Sequence, residues 1–365
     1  MKWSEKPVIV LGHGVRASGA DASPLLEMGV PVLSSWQAAD LVDNTHTNYY
    51  GRPGIYGQRT ANKILYEADS ILAIGCRMCT WMIGHAGLRP EQRLVMVDID
   101  GREVARHKQA DHILMDAGEF IRMMVETYPR YPGSDWNVQC EAWRSKWPLL
   151  EHEDANGYMN SYRIMDWVNN LLRPDEIIVI DNGSIMCPIM QVMKFKPPQR
   201  VITSGCLGEM GCALPGAIGA SFARGKGEVL AIIGDGGMMM NIQDLATVAH
   251  HKLPIKMMVF ENDGYAMIKG TYTTMKKERV GVDEKSGLKL PDFCKIARGF
   301  NIETADAKKI EEVVHLVPQM LAHDGPFLLQ THIDPEQDYV PRLKPIVGAD
   351  GTISPPRFDQ LSPLR

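Results

Sequence analysis

The sequence predicts an α/β protein of two doubly wound, parallel-sheet domains. Three observations predict it. The 365 residues suffice for about two domains at roughly 150 residues each. Short apolar runs bounded by Gly or Asp alternate with stretches of helical apolar spacing in both halves of the chain. Those runs are almost continuously apolar rather than alternating, as strands covered on both faces require.

The first domain is expected over residues 1–150. Its strands are read at "PVIVLG" (Pro7–Gly12), "VPVLSS" (Val30–Ser35), "SILAIG" (Ser70–Gly75) and "RLVMVDID" (Arg93–Asp100), with a helix at "RTANKILYEA" (Arg59–Ala68). The Trp-rich, charged stretch Trp136–Asn160 reads as a linker containing a helix and sets the boundary. The second domain, 151–335, repeats the theme at Glu176–Asp181, Arg200–Gly205, Glu228–Gly236, Ile255–Asp263 and Phe327–Asp334. The Pro-, Gly- and Asp-rich tail, 336–365, is expected to wrap the surface without a core of its own.

Composition excludes several functions. A net charge of -5 leaves no basic footprint for nucleic acid. Apolar runs such as "VLAIIG" are strand-sized and too short for a bilayer, and the N-terminal residues lack a secretory leader pattern. Seven cysteines without framework spacing fit a reducing compartment, so a cytoplasmic protein is expected. Cys76 and Cys79 form one Cys-x-x-Cys, but no second pair completes a zinc site.

The informative stretch runs from Gly234 to Tyr265, "GDGGMMMNIQDLATVAHHKLPIKMMVFENDGY". Ligands bind outside the carboxyl ends of strands in open α/β sheets. Asp235 follows one strand end and Asn262 follows the next. Side by side, they offer a carboxylate and an amide oxygen, both hard ligands for Mg²⁺ or Ca²⁺. Gly236 and Gly237 let the backbone approach a ligand at a helix start, an arrangement suited to phosphate. Each dipeptide alone is an ordinary turn; the pair, with helix and strand between, is specific.

"GDG" followed at this interval by "ENDGY" resembles the thiamine diphosphate signature. "NIQDLATVAHHKLPIKMMVFENDGYAMIKG" and "TSGCLGEMGCALPGAIGA" (Thr203–Ala220) are similar to acetohydroxyacid (acetolactate) synthase and its relatives, including the pyruvate decarboxylase-like branch. The first half resembles that family's middle domain, so the likeness runs to about residue 335. It implies Asp235, Asn262 and the Gly264 carbonyl as metal ligands. Gly236, Gly237, Gly183 and Ser184 would touch the diphosphate. Met210 would prop the cofactor in its bent form, facing the aminopyrimidine together with Gly208. Met267 and Ile268 match the apolar substrate-side pair, and Thr271 stands where the synthases carry Trp, implying a roomier pocket or a more polar acceptor. Arg77 matches the flavin-binding stretch but its acidic pair does not, which argues against FAD.

The resemblance also implies what is missing. Family enzymes begin with a pyrimidine-binding domain that supplies a catalytic Glu, and this chain starts at the middle domain. Either a separate subunit brings that Glu, in an α2β2 assembly, or the chain is a fragment; the Met-Lys start followed at once by a strand favours the former. The implied activity is Mg-dependent decarboxylation of a 2-oxo acid such as pyruvate, with the acyl-anion equivalent passed to a carbonyl acceptor. The alternatives are a simple 2-oxo acid decarboxylase subunit and a non-catalytic cofactor-binding or regulatory subunit. A nicotinamide oxidoreductase built on "GHG" (Gly12–Gly14) is disfavoured, because the third glycine falls at the wrong offset. His250 and His251 read as helix C-terminal residues, Met238–Met240 as packing, and Lys276–Arg279 as a solvated loop.

Overall fold

A computed structural model describes residues 3–154, 157–205, 207–347 and 352–363. Cys206 of the Thr203–Ala220 motif and residues 348–351 of the tail lie outside the described residues. The chain divides into two compact units. One comprises Met1–Leu149, Lys194–Pro197 and Val340–Arg365; the other comprises Leu150–Met193 and Pro198–Tyr339.

The first unit holds a five-stranded parallel sheet: β1 (Pro7–Leu11), β2 (Val32–Ser34), β3 (Ser70–Ile74), β4 (Arg93–Asp98) and β5 (Asp111–Leu114), in the order β2-β1-β3-β4-β5. Every residue of β1 is buried, which is why its sequence is continuously apolar. Sequence reading passed over β5 because "DHIL" is an edge strand with mostly exposed residues. The helix Arg59–Glu67 buries Ala61, Ile64 and Leu65 at helical spacing. The helix Asp135–Lys146, expected as part of a linker, buries Trp136 and Cys140, and the Trp136 indole donates to the Pro7 carbonyl. The tail has no core of its own, but Leu343, Phe358 and Leu361 join the core of this unit. Asn62 anchors it, donating to the carbonyls of Gly54 and Phe358.

The glycine loop after β1 has a structural task. Gly12 and Gly14 donate their amides to the carbonyls of Ile74 and Gly75. A Cβ on Gly12 would stand 2.0 Å from the Gly75 carbonyl oxygen. The loop that resembles a dinucleotide motif is thus packed shut, backbone on backbone, at the switch point between β1 and β3. Gly12→Ala should destabilise the first unit by about 1–3 kcal/mol, the range for overpacking a tight interior; thermal unfolding checks this, and an unchanged midpoint would contradict the packing described.

The second unit holds a six-stranded parallel sheet: β6 (Ile177–Ile180), β7 (Arg200–Thr203), β8 (Val229–Gly234), β9 (Ile255–Glu261), β10 (Glu303–Ala307) and β11 (Phe327–His332), in the order β10-β11-β9-β8-β6-β7. The chain runs from β6 out to β7, then returns past β6 to β8. That reversal opens a crevice at the carboxyl ends of β6 and β8, where doubly wound sheets bind ligands. The polar edge strand β10, "ETADA", lacks the apolar run that marks the others. Among the described residues no helix is long and apolar enough to cross a membrane.

Candidate active site

β8 and β9 pair in register, Gly234 beside Phe260, so their carboxyl ends are adjacent. Asp235 is the first residue of the short helix Asp235–Met240 and is 1% exposed. Its Oδ2 accepts the amides of Asn262 (3.0 Å) and Gly264 (2.9 Å), and its Oδ1 accepts that of Gly236 (2.7 Å). The carboxylate therefore ties the end of β8 to the turn after β9. Burial pushes its carboxyl up to about 6 against the pull of the three amides. A buried carboxylate in this condition favours a neighbouring cation.

Asn262 is buried, and its amide nitrogen approaches Ser184 Oγ at 3.4 Å. Its Oδ1 is buried without a hydrogen-bond partner. An orphaned amide oxygen beside a buried carboxylate is a donor set for a hard divalent cation. Among the described residues no three His, Cys, Asp or Glu side chains gather as a metal cluster; the set here is one carboxylate, one amide oxygen and backbone carbonyls. The Gly264 carbonyl accepts the Ala266 amide at 3.2 Å. Tyr339 is buried, and its hydroxyl lies against Ser184 and Asn262 without hydrogen-bond geometry to either.

The glycines of the first helical turn are needed for close approach. A Cβ on Gly236 would meet the Tyr265 ring at 2.5 Å and Met210 Cε at 3.0 Å. Met210 Cε thus lies close to the Gly236 backbone. A Cβ on Gly237 would lie 1.7 Å from Asp181 Oδ2. The Gly236 amide, expected to face a phosphate, is engaged here by Asp235 itself. Gly183 (φ +120°) and Gly208 (φ +71°) have left-handed backbone with open space where a Cβ would stand, which leaves their peptides accessible.

Sequence reading missed Asp181, Asn182, Lys269 and Tyr339. Asp181 is fully buried; its Oδ1 accepts the amides of Asn182, Gly211 and Cys212. Asn182 donates to the carbonyls of Ser204 and Glu209. Together they pin the loop that carries Gly208 and Met210 to the end of β6. The stretch Asp181–Ser184 at a strand end points to Gly183 and Ser184 as diphosphate contacts, but nothing in it marks Asp181 and Asn182 as holders of the neighbouring loop. Met267, Ile268 and Thr271 lie near one another on the helix Ala266–Thr274, half-buried to exposed, and the Thr271 hydroxyl donates to the Met267 carbonyl. In the first unit, Arg77 is exposed and pairs with Glu103 at 3.4 Å, while Cys76 is buried, its thiol pushed up to about 12 by burial.

One polar cluster supports the same edge. His332 at the end of β11 bridges Glu261 of β9 (2.5 Å) and Asp306 of β10 (2.7 Å). The Glu261 hydrogen bond raises the His332 pKa above its usual 6.5. Burial opposes ionisation of Glu261, but the His332 bond and charge outweigh it and lower the carboxyl below 4.5. The raised His contributes stability fully present below about 6.5 and lost as pH rises through its folded value; the lowered Glu contributes stability present above about 4.5 and lost as pH falls through its own. The bridge is thus strongest between those limits. His332→Gln should cost roughly 1 kcal/mol there, since the cluster is partly solvated. Unfolding midpoints against pH check this: the variant should flatten the fall above pH 6.5, and an unaltered profile would contradict it.

Comparison with known proteins identifies the family. Residues 178–331 match the model of the thiamine pyrophosphate enzyme C-terminal TPP-binding domain, and residues 1–124 match that of the thiamine pyrophosphate enzyme central domain. The chain is 28% identical to a probable acetolactate synthase large subunit of Methanocaldococcus jannaschii, over 99% of this chain and 64% of that protein. It is 28% identical to the acetolactate synthase isozyme 1 large subunit of Escherichia coli, over 96% of this chain and 62% of that protein. It is 29% identical to a pyruvate oxidase of Lactiplantibacillus plantarum, over 90% of this chain and 55% of that protein. The chain thus spans less than two thirds of the length of the curated relatives it matches. With a central-domain match before a cofactor-domain match, each on its own parallel sheet, the chain belongs to the thiamine pyrophosphate enzyme family.

Proposed function

We propose that this chain is the cofactor-binding part of a thiamine diphosphate- and Mg²⁺-dependent enzyme that decarboxylates a 2-oxo acid such as pyruvate and transfers the acyl-anion equivalent to a carbonyl acceptor. The observation that carries the reading is the buried pair of Asp235 and Asn262, the latter with its side-chain oxygen unpartnered. Asp235, Asn262 and the Gly264 carbonyl would hold the cation, and hard oxygen donors with few charges suit Mg²⁺. Gly183, Ser184, Gly236 and Gly237 would hold the diphosphate, releasing the Gly236 amide from Asp235. Gly208 and Met210 would set the conformation of the bound cofactor. The cofactor, once bound, supplies the nucleophilic carbon and the electron sink for decarboxylation. Met267, Ile268 and Thr271 would line the substrate side.

A pyrimidine-binding partner subunit supplies the catalytic Glu in this reading, in an α2β2 complex. Its support is a set of exposed apolar side chains on the site-forming segments: Leu207 (88% exposed), Met239, Met240 and Ile268. Such side chains call for cover by protein. The described cysteines form no disulfide, which fits the cytoplasm. Product analysis of the complex with pyruvate, thiamine diphosphate and Mg²⁺ tests the reaction. A ligated product is expected; aldehyde alone would make it a simple decarboxylase, and no consumption of any 2-oxo acid would favour a non-catalytic subunit.

A further inference from the structure

The helix Ala266–Thr274 buries one side chain, and that side chain is a lysine. Lys269 is 3% exposed. Helices ordinarily dock through apolar residues, and an interior ammonium needs compensation. Its direct partners are backbone carbonyls, with the carboxylates of Glu336, Asp263, Asp235 and Asp283 acting only through charge. Nζ donates to the carbonyls of Asn262 (2.8 Å), Pro335 (2.8 Å) and, at 3.5 Å, Asp263. Its three donors are thereby directed at backbone, two of them at the turn that carries Asn262 and Gly264.

That turn is an uncommon one. Asp263 (φ +57°) and Gly264 (φ +113°) are left-handed in succession, and the first is not glycine. The amide side of the turn is fixed by Glu261 and Asp235, which accept from Asp263 and Gly264. Lys269 fixes the carbonyl side. The same ammonium holds Pro335, four residues before Tyr339, whose hydroxyl lies against Asn262.

We propose that Lys269 is a positioning residue of the cation site: its buried ammonium holds the Asn262–Asp263 carbonyls and the Pro335 segment, and so keeps the Asn262 and Gly264 ligands in place. The proposal rests on the thiamine diphosphate reading of the site. A positive charge near a divalent cation would by itself weaken binding of that cation. The positioning role therefore predicts the opposite sign from simple repulsion. Without Lys269 the buried carbonyls lose their donors, the left-handed turn relaxes, and ligand geometry is lost.

The test uses the full chain in its co-purified complex, with Mn²⁺ as the probe and thiamine diphosphate binding read by calorimetry. Lys269→Met keeps the stem and removes the donors. It should raise the Mn²⁺ concentration needed for half-maximal thiamine diphosphate binding about 10–100-fold, as loss of outer-shell support does. Lys269→Arg, which keeps charge and donors, should recover part of that loss. If Lys269→Met does not fold, Lys269→Gln replaces it, with an intermediate shift expected. Unchanged or tighter Mn²⁺ dependence in a folded variant overturns the proposal, because a purely structural lysine would lower the melting temperature and leave that dependence alone. A wild-type complex with no metal-dependent binding would bring down the reading of the site and this proposal together; wild-type binding with an unmoved variant brings down the proposal only.

Discussion

Asp235→Ala should abolish metal-dependent binding of thiamine diphosphate, weakening it by more than about 100-fold, because loss of a direct ligand exceeds the ~10–100-fold typical of outer-shell changes. The same carboxylate also accepts three amides, two of which join the end of β8 to the turn after β9. The alanine variant therefore mixes two losses. Asp235→Asn separates them. The single amide oxygen can still accept the Asn262 and Gly264 amides, while the new NH2 faces the Gly236 amide and cannot accept it. The turn should keep its main tie, and the unfolding midpoint should fall less than in the alanine variant. The negative charge is gone, so cation binding should fail almost as fully as in the alanine variant. Calorimetry with and without Mg²⁺, beside thermal unfolding, reads both. If Asp235→Asn binds thiamine diphosphate with wild-type metal dependence, the carboxylate is a structural tie and nothing more.

Gly264→Ala should be the most damaging small substitution in the second unit. Gly264 has φ +113°, a conformation that L side chains rarely adopt. A Cβ there would stand 2.2 Å from the Val282 carbonyl oxygen and 3.1 Å from its carbonyl carbon. Backbone cannot swing aside as a side-chain end can. Left-handed strain costs about 1–3 kcal/mol and overpacking a further 1–3, so a loss of roughly 3 kcal/mol is expected. Cofactor binding should weaken further than this, since the substitution displaces the turn that holds Asn262. A variant that unfolds at the wild-type midpoint would show that the turn adapts and is not the rigid element described. Gly183→Ala offers the contrast: its left-handed backbone is also strained, but the space around it is open, so its loss should be smaller.

Much of the fold was legible because buried parallel strands write themselves as apolar runs. β1, β3, β6, β8 and β9 all stand where such runs lie, and each is buried over most of its length. The edge strands β5 and β10 were not legible, because an edge faces solvent and its residues are mixed. The site was legible where chemistry forces a residue type. Asp235 and Asn262 follow strand ends, and adjacent parallel strands bring them together. The supporting residues were hidden for a different reason. Asp181 and Lys269 act on backbone amides and carbonyls, and a contact to backbone leaves no pattern in the partner's sequence. The stretch "NIQDLATVAHH" (Asn241–His251) reads as one helix; in the structure it is a 3₁₀ turn at Ile242–Asp244 and a helix at Leu245–His251, preceded by a separate short helix at Asp235–Met240. The polar Asn241, with φ -136°, marks the break between the short helix and the 3₁₀ turn.

Metal-dependent cofactor binding is tested most directly by a calorimetric titration of thiamine diphosphate into the metal-stripped complex containing this chain, repeated after adding Mg²⁺. No measurable binding is expected without metal, and saturable binding of one cofactor per chain is expected with it. Binding that is equally tight without a divalent cation, or absent in both conditions, would contradict this expectation.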